Sequence, residues 1–104
     1  MTGRPQPTAE FEMQEGERSR VHGVLHFTTV TALLKSGNEA ITTGRAAVID
    51  LSGVADSDSS GLALLIEWLS IAKAERRSLR YENIPAQLHQ LARLSDVEEL
   101  LTAG

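Results

Sequence analysis

The stretch Ala46–Leu65, AAVIDLSGVADSDSSGLALL, decides the fold. It opens on a β-branched run that stays apolar until Asp50, the pattern of a strand buried on both faces. Ser52 to Asp58 read as a loop crossing the end of a sheet. A helix then opens at Asp58-Ser59-Ser60-Gly61 and runs to about Arg77. Asp50 ends the apolar run and is expected to accept hydrogen bonds from the loop that follows.

Upstream, Phe11 to Gln14 and Val21 to Leu25 carry apolar residues at alternate positions. They flank Glu15-Gly16-Glu17, which predicts a β-hairpin. Thr28 and Thr29 precede Val30, Leu33, Leu34 and Ile41, a helical spacing with a hydroxyl N-cap, and Gly44 closes that helix. Downstream, Leu79 to Glu82 form a further strand, and Asn83-Ile84-Pro85 turn into a helix over Ala86 to Leu94. After a break at Ser95-Asp96, Val97 to Leu101 form a last short helix. The order β-β-α-β-α-β-α-α implies an α/β fold, a mixed β-sheet with helices packed on one face and right-handed crossovers between parallel strands. Residues 1–7, with two prolines and a glycine, read as a disordered lead-in to one domain over residues 8–104.

Bulk properties remove several function classes. The 104 residues suffice for one core but not two, and the formal net charge of -4 opposes an electrostatic nucleic-acid binder. The basic run Lys73, Arg76, Arg77, Arg80 reads as a helix C-terminus complementing its macrodipole. No cysteine is present, which removes disulfide frameworks and thiolate metal sites. No apolar stretch reaches the roughly 20 residues of a membrane span, and the first residues do not resemble a signal peptide. A cytoplasmic location is the expectation. Neither a Walker-type glycine loop nor a Gly-x-Ser-x-Gly elbow occurs. His22 and His26 are four apart without a carboxylate to complete a metal set, and His89 stands alone. Catalysis, cofactors and metals are therefore not expected.

The helix start is where chemistry concentrates. The first amides of a helix lack internal partners and carry partial positive charge, so a small hydroxyl caps them and a phosphate placed there is stabilised. Simple capping explains one such group. Asp56, Ser57, Asp58, Ser59 and Ser60 are more than one cap requires, and Gly61 beside them keeps the surface low and open. Along the helix, Leu62, Leu65, Ile66, Leu69 and Ala72 form a core stripe at 100° per residue. Leu64, Trp68 and Ile71 fall on nearly the opposite side. Either neighbouring helices bury this second stripe, or it is a partner surface anchored by Trp68.

The stretch VIDLSGVADSDSSGLALL resembles the signature of STAS domains, the family of sulfate-transporter and anti-sigma-factor-antagonist domains: an apolar strand, Asp-Leu-Ser, a loop, then Asp-Ser-Ser/Thr-Gly-Leu opening a helix. Within it, GVLHFTTVTALL, SGLALLIEWLSIAK, LRYENIPAQLHQLARL and SDVEELL are similar to the MlaB-like branch, the cytoplasmic subunits of Mla-type phospholipid-transport ABC complexes. The resemblance implies the STAS (anti-sigma-factor antagonist-like) fold. It implies docking on an MlaF-like ABC transporter ATPase subunit, in a complex with permease and lipid-binding subunits, peripheral to the inner membrane without insertion into it. It places the partner contact at Ser59 and, by adjacency, Asp58 and Ser60, with Leu64, Trp68 and Ile71 of the second stripe beside them. MlaB-like proteins often carry threonine where Ser59 stands. Serine is the antagonists' residue, so phosphorylation at Ser59 and an anti-sigma-factor antagonist role stay open.

Overall fold

The structure, a computed structural model, describes residues 8–102. The expected lead-in over residues 1–7 and the last two residues of the expected domain lie outside them. Four strands and four helices follow in the order anticipated: β1 (Ala9–Gln14), β2 (Arg18–Leu25), α1 (Val30–Thr42), β3 (Val48–Ser57), α2 (Ser59–Ala74), β4 (Arg80–Glu82), α3 (Ala86–Leu94) and α4 (Glu98–Thr102). The sheet order is β1-β2-β3-β4. The hairpin strands pair antiparallel, and β2–β3 and β3–β4 pair parallel.

Alternation along the strands sorts the two faces of this sheet. Val21, Ile49, Leu51 and Tyr81 are buried on the helix side. Glu10, Glu12, Arg18, Arg20, Asp50 and Glu82 occupy the other parity and stay exposed or half-exposed. The reading of β3 as buried on both faces is therefore corrected, because Val48 and Asp50 lie on a face that no helix covers among the described residues. Half a strand was also missed. Ser52 to Ser57 continue β3, with two register shifts against β2, between Arg20 and His22 and between Gly23 and Val24. Such bulges insert extra residues that re-aim the strand, and they break the two-residue alternation by which a strand is recognised. Gly23, at the second shift, has φ 106°, a backbone that a side chain rarely adopts.

The second stripe of α2 is core, and the partner-surface reading of Leu64 and Trp68 is overturned. Trp68 is 0% and Leu64 4% exposed, both belonging to the central apolar cluster. Ile71 is half-buried and packs on the same cluster. The cause is α1, which lies along α2 and covers that side. A Cβ on Gly37 of α1 would overlap the indole ring, so the ring fills the space that the glycine leaves. Its Nε1 donates to the Leu34 carbonyl at 3.4 Å. Phe11 of β1 meets it edge-on, with ring centroids 5.6 Å apart and planes at 69°, a geometry worth about 0.5–1.5 kcal/mol beyond burial. On the far side of α2, the Tyr81 hydroxyl donates to the Leu65 carbonyl at 2.6 Å.

The helix-free face is held by charge. Arg18 of β2 reaches across β3 to Glu82 of β4, and Arg80 pairs with Glu82 at 3.2 Å. Asp50 accepts from the Ser52 amide, as its place before that segment suggested, and also from Asn83 Nδ2 beyond β4, both at 2.9 Å. The Asn83 bond holds the Asp50 carboxyl below its usual range, with the Ser52 amide adding to the effect. The Arg18 bond does the same for Glu82. The basic run is redistributed. Only Lys73 lies in the last turn of α2, while Arg77 donates to the Thr42 carbonyl at the end of α1, at 3.2 Å.

Two outcomes follow from this packing. Gly37→Ala should lower stability by about 1–3 kcal/mol through overpacking, minus up to ~1 kcal/mol of gained helix propensity. Trp68→Ala should cost about 3–5 kcal/mol. Urea midpoints read by far-UV circular dichroism check both. The depressed Asp50 and Glu82 carboxyls stabilise the fold above their unfolded-state pKa, and that contribution disappears as pH falls through their lower folded-state values. The melting temperature should thus hold from neutrality to about pH 5 and fall below about pH 4. Glu82→Gln should lower it at pH 7 and flatten the acid decline.

Candidate functional site

Because β2 and β3 are parallel and both run into helices, the N-termini of α1 and α2 emerge side by side at one end of the sheet. This is where ligands and partners of such sheets usually meet the protein. The bulged end of β3 is tied in place from several sides. The Asp58 amide donates to the Leu25 carbonyl at 3.0 Å, and the Ser57 amide donates to Gln87 Oε1 of α3 at 3.2 Å. His26 Nε2 stands 3.1 Å from Asp56 Oδ2. That contact, followed by one from Gln87, holds the Asp56 carboxyl below its usual range.

Each member of the polar cluster has its own role. Asp58 is the N-cap of α2, its Oδ1 accepting from the Ser60 amide at 2.8 Å. Ser57 is buried and donates from Oγ to the Asp58 carbonyl at 3.0 Å. Ser60 is half-buried. Ser59 is exposed, and its hydroxyl makes no hydrogen bond among the described residues. The capping requirement of this helix is met without it. Gly61 is not the open surface it promised to be. It is buried, and a Cβ there would overlap Ser57 Oγ and stand 2.9 Å from Leu25 Cβ. This glycine lets the helix start against the strand ends, which fixes the direction in which Ser59 is presented.

Beside Ser59 the two helices leave a groove of about 400 Å³ lined by Val30, Thr31 and Leu34 of α1 and Ser60, Ala63, Leu64 and Glu67 of α2. Phe27, in the loop that leads into α1, is 74% exposed. That loop is pinned by Thr29, whose Oγ1 accepts from the His26 amide at 3.0 Å and donates to the Val24 carbonyl at 2.7 Å. The hydroxyl N-cap expected of Thr29 is absent, since its side chain caps no helix amide and braces the loop instead. Sequence reasoning thus found Asp58, Ser59 and Ser60 together at one helix start. It missed Phe27 and the α1 wall, whose apolar residues were read only as a helical spacing. An aromatic directly before Thr28-Thr29, outside any periodic pattern, was the available sign.

The three histidines each face a carboxylate on another element: His22 with Glu10 at 3.6 Å, His26 with Asp56, and His89 with Glu98 at 3.6 Å. Among the described residues no three His, Cys, Asp or Glu stand where they could hold a metal ion, and no helix is long and apolar enough to cross a membrane.

Residues 13–102 match the family model described as Mlab, STAS domain. No curated protein matches the sequence. The solved structure of the anti-sigma factor antagonist SpoIIAA in its unphosphorylated form is similar with a TM-score of 0.67 at 19% identity, over 86% of this chain and 82% of that one. The Bacillus cell fate determinant SpoIIAA in the phosphorylated form gives 0.65 at 19% identity, over 86% and 84%. Mglu gives 0.57 at 25% identity over 74% of this chain and 20% of that one. The sheet order and the helices on one face are therefore those of the antagonist fold that the strand–loop–helix signature implied.

The division of labour at the helix start has a direct test. Asp58→Ala should cost about 1 kcal/mol, within the 0.5–2 kcal/mol of a lost cap. Ser59→Ala should change stability by less than about 0.5 kcal/mol, as at a surface position with no structural duty. Urea denaturation of the two variants beside the parent reads both.

Proposed function

The chain belongs to the STAS domain family, of the MlaB-like kind, and on that premise we propose that it is a non-catalytic accessory subunit of a Mla-type phospholipid-transport ABC complex. It docks on the MlaF-like ATPase subunit through the end of the sheet where α1 and α2 begin, and stabilises or regulates that subunit. Permease and lipid-binding subunits complete the assembly, and the protein sits at the cytoplasmic side of the inner membrane through its partners.

The observation that carries this reading is the uncommitted Ser59 hydroxyl. A serine placed first in a helix whose cap is already supplied by Asp58 has no role in the fold. It is exposed, next in sequence to Ser60, which lines a largely apolar groove, and the loop into α1 at the same end of the sheet carries the solvent-facing Phe27. A polar anchor ringed by apolar surface is the composition of a protein docking site, where a central hydrogen bond sets register and apolar side chains supply the affinity. Ser59 replaces Trp68 as the centre of the surface, with Asp58 and Ser60 fixing its position and the α1 wall doing what the buried stripe was expected to do.

One observation favours a second reading. The fold is shared with an antagonist solved in both phosphorylated and unphosphorylated forms, and an exposed serine at a helix N-terminus suits a phosphate, which the helix amides and dipole stabilise. A phospho-switched anti-sigma-factor antagonist would use the same end of the molecule. Either way a phosphate adds about -1.5 to -2 charges beside Asp56 and Asp58, and a partner surface shaped for a neutral hydroxyl would have to desolvate them.

Binding separates the readings. Ser59→Glu should weaken association with the ATPase subunit encoded alongside the permease by more than about tenfold, the scale set by an unpaired charge of about 1.4 kcal/mol or more at an interface. Ser59→Thr should retain it. Biolayer interferometry with the purified ATPase measures both. Unchanged binding by Ser59→Glu would remove the serine from the interface. Phospho-Ser59 in cells, with a kinase co-purifying in place of the ATPase, would establish the antagonist.

A further inference from the structure

We propose that the free edge of β1 is a strand-addition site for an extended segment of a partner protein whose side chains alternate apolar and basic. Among the described residues β1 ends the sheet, and β2 alone pairs with it. The Val24 amide donates to the Thr8 carbonyl at 2.9 Å, and the register that follows sets Ala9 opposite Gly23 and Phe11 opposite Val21. Bonded and unbonded positions alternate in an antiparallel pair. Glu10, Glu12 and Gln14 therefore share their backbone bonds with β2, while the N–H and C=O groups of Ala9, Phe11 and Met13 point outward. Three donors and three acceptors stand in a row along one edge.

The same strand walls a second cavity. About 350 Å³ lies between β1 and a face of α1 distinct from the groove beside Ser59, lined by Phe11 and Met13 and by Ser36, Glu39, Ala40, Thr43 and Arg45. Met13 is 44% exposed there. An added strand would hydrogen-bond the edge and send alternate side chains into this cleft, the arrangement by which strand addition gains affinity from backbone and specificity from pockets. Phe11, Met13 and Ala40 supply the apolar part of this lining, which suits apolar side chains of moderate size.

The remaining side chains of the added strand fall on the helix-free face, next to Glu10 and Glu12. Both are exposed. Glu12 takes part in no ion pair among the described residues, and Glu10 has only the 3.6 Å contact with His22. Lysine or arginine at these positions makes favourable cross-strand pairs. The same charges argue against a second copy of this chain as the occupant. Two β1 strands paired antiparallel would bring the glutamates of one against those of the other, and like charges on an edge are a means of preventing self-association.

The test uses the full chain, labelled with ¹⁵N, and two acetylated and amidated hexapeptides, one of alternating Lys and Val and one of alternating Glu and Val. The lysine peptide should slow hydrogen exchange at the amides of Ala9, Phe11 and Met13 and bind roughly five- to tenfold more tightly than the glutamate peptide, as two favourable cross-strand pairs against two unfavourable ones require. Glu12→Lys should erase or invert that preference. Met13→Pro removes an outward N–H that β2 does not use, which an edge strand tolerates, and should abolish the protection with the circular dichroism spectrum retained. Ser59→Glu should have no effect, which keeps this surface distinct from the other. Equal affinity for the two peptides, unaltered exchange at the three amides up to millimolar peptide, protection elsewhere, or full binding by folded Met13→Pro would each overturn the proposal.

Discussion

The contact between Trp68 and Gly37 sets the distance between α1 and α2, and much of the remaining structure depends on it. An indole is too large to lie between two helices unless one of them offers backbone in place of a side chain, and Gly37 does so. With the ring seated, α1 packs along α2, Phe11 of β1 closes over the ring edge, and three elements share one buried group. The consequence reaches the other end of the helices. Their first turns are held side by side, and the groove lined by Val30, Leu34, Ala63 and Glu67 lies between them. The groove is thus placed by a packing contact made further along the same two helices.

That surface also illustrates how a helix start divides its tasks. Of several residues able to cap α2, Asp58 is the one that does so, Ser57 turns inward, and Ser59 is left facing solvent. Buried Gly61 makes the arrangement possible by letting the helix begin against Leu25 and Ser57. A bulkier residue would push the helix outward and change where the free hydroxyl stands. The placement of the Ser59 hydroxyl therefore comes from buried Ser57 and Gly61.

The order and type of every element were legible because the apolar pattern changes period cleanly, from alternation in β1 and β2 to helical spacing from Val30 onward. The helix-start cluster was legible for the same reason, since Asp-Ser-Ser-Gly before an apolar helix is dense in capping groups. Other features were not. The second half of β3 is bulged twice against β2, so Ser52 to Ser57 lack the alternation by which a strand is recognised. The Leu64/Trp68/Ile71 stripe was apolar enough to be read as surface-seeking, but a helix that is apolar nearly all round is more simply one with neighbours on several sides. The sign that decides between these lay outside α2, in a glycine placed mid-helix in α1, where it weakens the helix and so must serve packing. Periodicity within one element reports which residues want burial. It does not report which neighbour supplies it.

The edge-on meeting of Phe11 and Trp68 has a bearing on synthesis. Phe11 is synthesised 57 residues ahead of Trp68, in a hairpin that two strands alone stabilise poorly. At about 5–20 residues per second, the apolar side of the hairpin stays uncovered for several seconds while α1, β3 and most of α2 are still being added. The glutamates at positions 10 and 12, exposed on the opposite side of the same strand, give the nascent hairpin a repelling charge during that interval. The sequence EFEM at positions 10–13 thus carries an apolar surface for the finished protein and a safeguard for the unfinished one.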